Sequence, residues 1–588
     1  MKKHYLQLLN TLSQFKTAKK ISSFFIAFLL TAFTADANNF LVNSLGDSPA
    51  VTPGAGTGLD AGGLITLRSA VQAATATAGT HTITFNVTGT INLTLGQITL
   101  GAAALGNNIT ITGPGSGLLT VNQTTANRVF STGTGQVTVS ISGIGFTYSG
   151  PAGTTYSGAG GAIVAGGLNA STTLNGCSFT GFNAQIGNGG AISASSPANS
   201  HSLTITNCSF TNNKCGGAGG AVSYNGIGTA TITGCTFTGN KTGIVGANVG
   251  GGGGAINTSG TGTPANGGTY SITKCTFINN GVENATAQGG AIINTNGTLT
   301  ATYNRFVGNT AATASLGNTL AQTGGTTINT INANDNWWGV NGGPDANAAV
   351  VLAPGGSITK TTWLQLIGSA SPATICNSST STVTASFLNN SAGTPIAVSN
   401  LTVLIGLPIS FVNPVLGTIS AAQTTIQANG TATATFTPTG ADGNGSVNAV
   451  VDNIPNNDAV AKAAITIASV QVTNPATTTA TVGTFFSQSF TQINGAPVVT
   501  FSTTSTLPNG ITLSSAGLLS GTPTQSGSFP INVKATSSNG CNGTGSTYTL
   551  IVGCPVITVT NPLTATGQVG TTYGETFSQS GGIGTVNF

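Results

Sequence analysis

Charged side chains are scarce in this chain. Only 4% of its 588 residues are Asp, Glu, Lys or Arg, and between residues 61 and 334 the one acidic residue is Glu283. Glycoside hydrolysis normally needs a pair of carboxylates around the scissile bond. A calcium-dependent lyase needs several acidic ligands and a basic residue beside them. Asp335 and Asp345 stand ten residues apart where the repeats end, and Arg68, Arg128 and Arg305 have no acidic company in the sequence. Three histidines, His4, His81 and His201, are too few for a His-rich metal centre. Ser and Thr abound, but without a nucleophile elbow, a phosphate loop or a neighbouring base. The expectation is a non-enzyme with no cofactor and no metal.

Basic patches are missing too. Of the 14 Lys and Arg residues, Lys2, Lys3, Lys16, Lys19 and Lys20 precede the apolar run from Ile21 to Ala35, and Ala35-Asp36-Ala37 follows with small residues. This is the pattern of a secretory signal, expected over residues 1–37. The run is short for a membrane span, and no later stretch is long and apolar enough for a transmembrane helix. Removing residues 1–37 leaves nine basic and nine acidic residues, a neutral mature chain. Phosphates are neutralised by clustered Lys and Arg, so nucleic acid is not an expected partner.

Gly, Thr, Ser, Asn and Ala dominate what remains. Regular Ile, Leu and Phe positions argue against disorder, which has no need of them. Only residues 67–77 read as a short helix. Gly-Gly-Ala-Ile/Val recurs at Gly160, Gly189, Gly219, Gly253 and Gly289. Interleaved with it is a second motif, typified by Leu203-Thr-Ile-Thr-Asn-Cys-Ser-Phe-Thr-Asn-Asn213. Its aromatics are Phe179, Phe210, Phe237, Phe277 and Phe306, with Phe146 an earlier member at successive gaps of 33, 31, 27, 40 and 29 residues. Cys177, Cys208, Cys235 and Cys275 share one repeat position, and Asn213, Asn240, Asn280 and Asn309 close their units.

A unit this short cannot bury its own apolar face, whereas stacking on its neighbours buries it. The expected fold is all-β: a right-handed parallel β-helix with an N-terminal cap over residues 38–345, with Phe, Ile and Cys in inward ladders. Cys residues pointing the same way in adjacent coils have poor geometry for bridging, so they read as buried thiols. Asn334-Asp-Asn-Trp-Trp-Gly-Val-Asn-Gly-Gly-Pro344 reads as closure of the last coil. Loops such as Thr242–Gly252 and Ser259–Gly267 lie outside the coil, where a binding surface can vary.

Gly-Gly-Ala-Ile alternating with Phe-x-x-Asn resembles the repeats of the polymorphic outer-membrane proteins. The matching pieces are Phe210-Thr-Asn-Asn213, Phe237-Thr-Gly-Asn240, Phe277-Ile-Asn-Asn280 and Phe306-Val-Gly-Asn309. That resemblance implies a surface adhesin built on a right-handed β-helix. Phe179 departs from the pattern, with Phe182 in the place of Asn. No stretch resembles the family's translocating barrel, which leaves the export route open.

After a linker expected at 346–367, short alternating strands separated by Asn, Gly and Pro turns predict an immunoglobulin-like β-sandwich over 368–468. It resembles the bacterial Ig-like domains of invasin-type adhesins. A second sandwich over 470–553 resembles the putative-Ig, cadherin-like modules of bacterial surface proteins. It contains no Asp or Glu, which argues against calcium there. The module begins again after 87 residues: Thr473-Asn-Pro475 recurs as Thr560-Asn-Pro562, and Phe490 as Phe577. Residues 554–588 therefore read as an incomplete repeat and the chain as a fragment. Cys541 and Cys554 flank the junction as a candidate disulfide, and Cys215 and Cys376 have no evident partners.

The expected role is a non-catalytic secreted or cell-surface bacterial protein, adhesin-like, with glycans or cell-surface proteins as partners. A passive stalk or surface-layer component is the alternative, and a carbohydrate-active β-helix enzyme is disfavoured by the missing acids. Aromatics grouped on one exposed flank would favour binding, and a uniformly polar flank the stalk.

Overall fold

In the computed structural model, residues 37–588 are described except 102–105, 133–134, 151–157, 168–169, 197–199, 244–250, 261–266, 325–328, 495–498, 539, 564–565, 584, 586 and 588. The secretory signal therefore lies outside the described residues, as do most of the Thr242–Gly252 and Ser259–Gly267 loops. The chain divides into two units. The first comprises the residues up to Gln365 together with Phe387–Ile405, and the second comprises Leu366–Ser386 and Gly406–Phe588.

The first unit is a stack of parallel strands. Eleven strands, from Asn39–Val42 to Ser357–Thr359, form one face, nine form a second and eight a third; a four-stranded ribbon of two-residue strands fills a corner. Strand alternation explains the inside and outside. In Ser202–Thr206, Leu203 and Ile205 are buried while Ser202, Thr204 and Thr206 are not. Neighbouring coils repeat the pattern in register: Leu203 pairs with Thr172 and Ala230, and Ile205 with Leu174 and Ile232.

Coils turn at fixed corners. From Gly143 to Tyr303 a residue takes a left-handed conformation directly after each strand of the eleven-stranded face, as at Gly176 (φ 60°), Asn207 (φ 53°), Gly234 (φ 67°) and Lys274 (φ 54°). Gly and Asn are the residues that adopt it with least strain.

The helix Leu67–Ala76 covers the beginning of the stack. Thr66 and Ser69 form a reciprocal capping box at its N-terminus. Leu67, Ala70, Val71, Ala73 and Ala74 join the stack's own core. Arg68, buried in this cap, donates from Nε to Asp47 at 2.7 Å and from Nη2 to the carbonyl of Gly96 at 2.7 Å. Asp47 also accepts the backbone N–H groups of Thr94 and Leu95. Both charges are thus fully engaged, which a buried ion pair requires.

The other end differs from the sequence expectation. The stack does not stop at residue 345. Ala349–Val351 pairs in parallel with Leu320–Gln322, and Ser357–Thr359 with Thr330–Asn332. Most of the expected linker is therefore coil. Beyond it, Trp337 packs edge-on against Phe387 (centroids 5.1 Å apart), and Asn390 Nδ2 donates to Asp335 at 2.9 Å. Residues 387–405 thus belong with the stack, although the sequence places them in the 368–468 sandwich.

The second unit holds antiparallel sheets. Two four-stranded sheets surround Ile375, Val383, Phe436, Val447 and Ile465 as a sandwich. Smaller sheets between Gln471 and Gly553 enclose Phe486, Phe490, Leu519, Tyr548 and Leu550. Cys541 does not pair with Cys554. It is disulfide-bonded to Cys376, with Cα atoms 5.4 Å apart, while Cys554 is free and exposed. The physical reason is burial: Cys376 and Cys541 share a small apolar cluster with Val470 and Ala535. Thr558–Thr560 and Ser578–Ser580 pair as a two-stranded ribbon, and Val556, Leu563 and Val569 around them are exposed.

Candidate functional site

Each inward repeat position forms a column. Phe146, Phe179, Phe210, Phe237, Phe277 and Phe306 stack ring on ring, with successive centroids 4.8–5.1 Å apart. The rings of Phe210 and Phe237 are 3° from parallel. Trp338 continues the column at 5.1 Å from Phe306 and so closes it. Burying each ring contributes about 1.5–3 kcal/mol, and each aromatic pair adds about 0.5–1.5 kcal/mol.

The Asn column works through its amides. Asn213 donates its backbone N–H and Nδ2 to Asn240 Oδ1, both at 3.0 Å, and Nδ2 also donates to the carbonyl of Phe179. Asn240 repeats these bonds to Asn280 and Phe210, and Asn280 to Asn309 and Phe237. At the coil where Phe182 replaces Asn, the Phe182 N–H donates to Asn213 Oδ1. The ladder thus begins one coil later without leaving that donor unpaired.

The glycine pairs divide their work. Gly160, Gly189, Gly219, Gly253 and Gly289 all have φ between 64° and 74°. The second glycine has a different constraint: a Cβ at Gly220 would collide with the Gly254 carbonyl and the Lys241 backbone of the next coil.

The four-Cys column is buried and unbridged. The backbone N–H of Cys177, Cys208 and Cys235 each donates to the sulfur of the following Cys at 3.4 Å. Burial raises the Cys235 thiol well above its ordinary value, and pushes Cys215, on the corner ribbon, up to about 12. These are neutral packing groups rather than nucleophiles, since only the thiolate reacts. His201 is buried with both ring nitrogens unpartnered among the described residues, and burial lowers its pKa to about 4.

Among the described residues, no group of three or more His, Cys, Asp or Glu side chains could hold a metal ion. Asp47 is bound to Arg68, Glu283 meets Lys241 at 3.1 Å, and Asp335 accepts from Asn390. No helix among them is long and apolar enough to cross a membrane.

The outward faces of the stack differ. On the nine-stranded face the outward Ser193, Ser223, Asn257 and Ile293 are buried. On the eight-stranded face, outward positions include Arg305, Ile278 and Val307. The eleven-stranded face, where at one edge Thr233 lines a pocket with Ser399, Thr402 and Val403, is the uniform one. Along it the outward positions are Thr, Ser or Asn in every strand, with Leu41 the one exception, and none is buried. Sequence reasoning missed this face. The signal was the Thr-x-Thr alternation, whose persistence from coil to coil is more than a solvated strand requires.

Residues 468–553 match the family described as Putative Ig domain. No curated protein matches the chain. Among solved structures, the chain is similar to InvD of Yersinia pseudotuberculosis at 21% identity and a TM-score of 0.17, covering 34% of this chain and 63% of that one. Invasin, described as a bacterial integrin-binding protein, shares 17% identity at a TM-score of 0.19, covering 35% of this chain and 44% of its own. The Escherichia coli adhesin FdeC shares 20% identity at a TM-score of 0.19, covering 35% and 69%. The chain thus spans less than two thirds of InvD and of invasin. The architecture stands on the strand pairing itself: a β-solenoid followed by Ig-like sheets, the second set within the Putative Ig domain match.

Proposed function

We propose that the chain is a non-catalytic, adhesin-like repeat protein of the bacterial cell surface, exported through residues 1–37. The observation that carries this reading is how the stack meets its polar demands. Its buried amides bond along the Asn column. Asp47 and Glu283 each pair with a basic residue, and Asp60 and Asp345 accept backbone N–H groups of their own loops, so these carboxylates are engaged by the fold rather than gathered into a reactive cleft. The Cys376–Cys541 disulfide suits an oxidising, extracellular setting. Cell-surface proteins and glycans are the partners this reading considers, and residues 554–588 read as the start of a further module.

A passive stalk is the second reading. It is favoured by the absence of aromatic side chains from the eleven-stranded face, because sugars and protein partners commonly use aromatic anchors. Labelled full chain, titrated onto bacterial and animal cells and onto a glycan array, separates the two. Saturable binding to any of these is the expected result. Uniform lack of binding, including to periodic solid surfaces, would overturn the adhesive reading in favour of the stalk.

A further inference from the structure

The eleven-stranded face has a regularity that strand formation alone does not demand. Three outward columns run along it. The middle one passes from Asn39 through Thr110, Thr204, Thr231 and Thr300 to Thr359, one residue per strand. No strand pair on this face shows a register shift, whereas the nine-stranded face slips between Thr258 and Ser259. Parallel strands lie about 4.8 Å apart and alternate residues along a strand about 6.6 Å apart, so the side chains form a two-dimensional mesh about 48 Å long.

The chemistry of that mesh is equally restricted. Its Thr side chains each present one hydroxyl and one methyl, and β-branching leaves Thr few rotamers. Lateral bonds fix some of them further: Thr206 Oγ1 donates to Asn175 Oδ1 at 3.0 Å, and the hydroxyls of Thr233 and Thr273 lie 3.2 Å apart. No outward position on the face is charged or aromatic. A charge would hold its own hydration shell, and an aromatic ring would offer a stacking platform for a sugar. This face offers neither. It offers hydroxyls at its Thr and Ser positions that can anchor water, with Thr methyl groups among them around which water must bond to itself, and amides at Asn39, Asn108, Asn175 and Asn332.

We infer that this face binds crystalline water: it is an ice-binding surface, holding a layer of water in a lattice that ice continues. The match is geometric, since hexagonal ice repeats its oxygen atoms on a mesh of similar dimensions. The inference gives the adhesive reading its ligand and rests on that reading. Many weak, similar contacts act together on an extended periodic partner, so affinity comes from the number of coils in register. A single substitution at the edge of the mesh costs little, while a bulky one in the middle column lifts the partner off several coils at once.

The test is partition of the labelled full chain into slowly growing ice, with an inert globular protein as the excluded reference. The unaltered chain should be enriched in the ice several-fold over that reference and should shape single ice crystals. Thr204→Tyr with Thr231→Tyr should reduce the enrichment at least fivefold. Ser209→Tyr with Thr236→Tyr, on the eight-stranded face, should retain it. Thermal unfolding of both variants checks that the stack is intact, and the milder Thr204→Val with Thr231→Val serves if the tyrosines unfold it. Exclusion of the unaltered chain from ice overturns the inference, as does equal loss from both faces. Retention on crystalline cellulose or chitin with exclusion from ice assigns the face to a sugar polymer and overturns the ice assignment. If ice excludes the chain but cells or glycans bind it, only this inference falls and the adhesive reading stands. If nothing is bound, both fall.

Discussion

His201 shows what a single residue can do to a stack of this kind. Its ring is buried beside Tyr224, 6.4 Å between centroids, and burial holds its pKa near 4. The unfolded chain binds a proton at this residue from about pH 6.5 downward, whereas the folded chain resists until about pH 4. Between those values the unfolded state carries the extra proton, so stability falls as pH falls. The loss expected from this group is on the order of 3 kcal/mol. His201→Phe should flatten the decline of the unfolding midpoint between pH 6.5 and 4, followed by tryptophan fluorescence. An equally steep decline in the variant would show that another group controls the acid limb. The buried Cys215 thiol acts in the opposite direction. With Cys215 raised to about 12, the unfolded chain ionises first, so its contribution is full below about pH 9 and is lost as pH rises towards 12.

At the scale of the element, the coil is held by columns, and a column fails at its weakest member. Asn240 is the middle rung of the amide ladder. Asn240→Ala would take the acceptor from the buried N–H of Asn213 and one of two acceptors from its Nδ2, and would remove the Nδ2 donor to the Phe210 carbonyl. The expected cost is on the order of 3 kcal/mol or more, because each orphaned group costs about 1–3 kcal/mol. Guanidinium unfolding followed by the fluorescence of Trp337, Trp338 and Trp363 measures it, since every tryptophan lies in the first unit. A change below about 1 kcal/mol would mean that water replaces the lost amide.

Column positions were legible because each coil repeats the same demand at the same place. Gly219 and Gly220 illustrate this: one needs a left-handed φ and the other has no room for a Cβ, so the pair recurs wherever the coil turns. The last coil was not legible. Ala349–Val351 and Ser357–Thr359 are three-residue strands without the Gly-Gly-Ala-Ile/Val motif or the aromatic, and only their partners define them. Thr204 and Thr231 carry no local mark in the sequence that sets them apart from other strand threonines. Alternation predicts which way a side chain points, but not that eleven strands keep one register.

For the whole molecule, the long-range covalent link matters most. Cys376 and Cys541 are 165 residues apart, with nothing local to announce the pairing. The sequence suggested Cys541 with Cys554 through proximity, and burial decided otherwise. Closing so long a loop restricts the unfolded chain, which typically contributes about 2–4 kcal/mol. Cys541→Ser should lower the thermal midpoint of the second unit by several degrees and leave the tryptophan transition of the first unchanged. Calorimetry with and without reductant reads both transitions. A reductant-insensitive second transition would mean that the bond adds nothing to stability.

The strand pairs of the stack join residues 25 to 43 positions apart, from one coil to the next. A tether pulled at one end would therefore not open everywhere together. It would surrender its outermost coil first and expose fresh bonds behind it, each equivalent to the one just broken. Such a body dissipates mechanical work in repeated small steps, and it retains most of its length after each one.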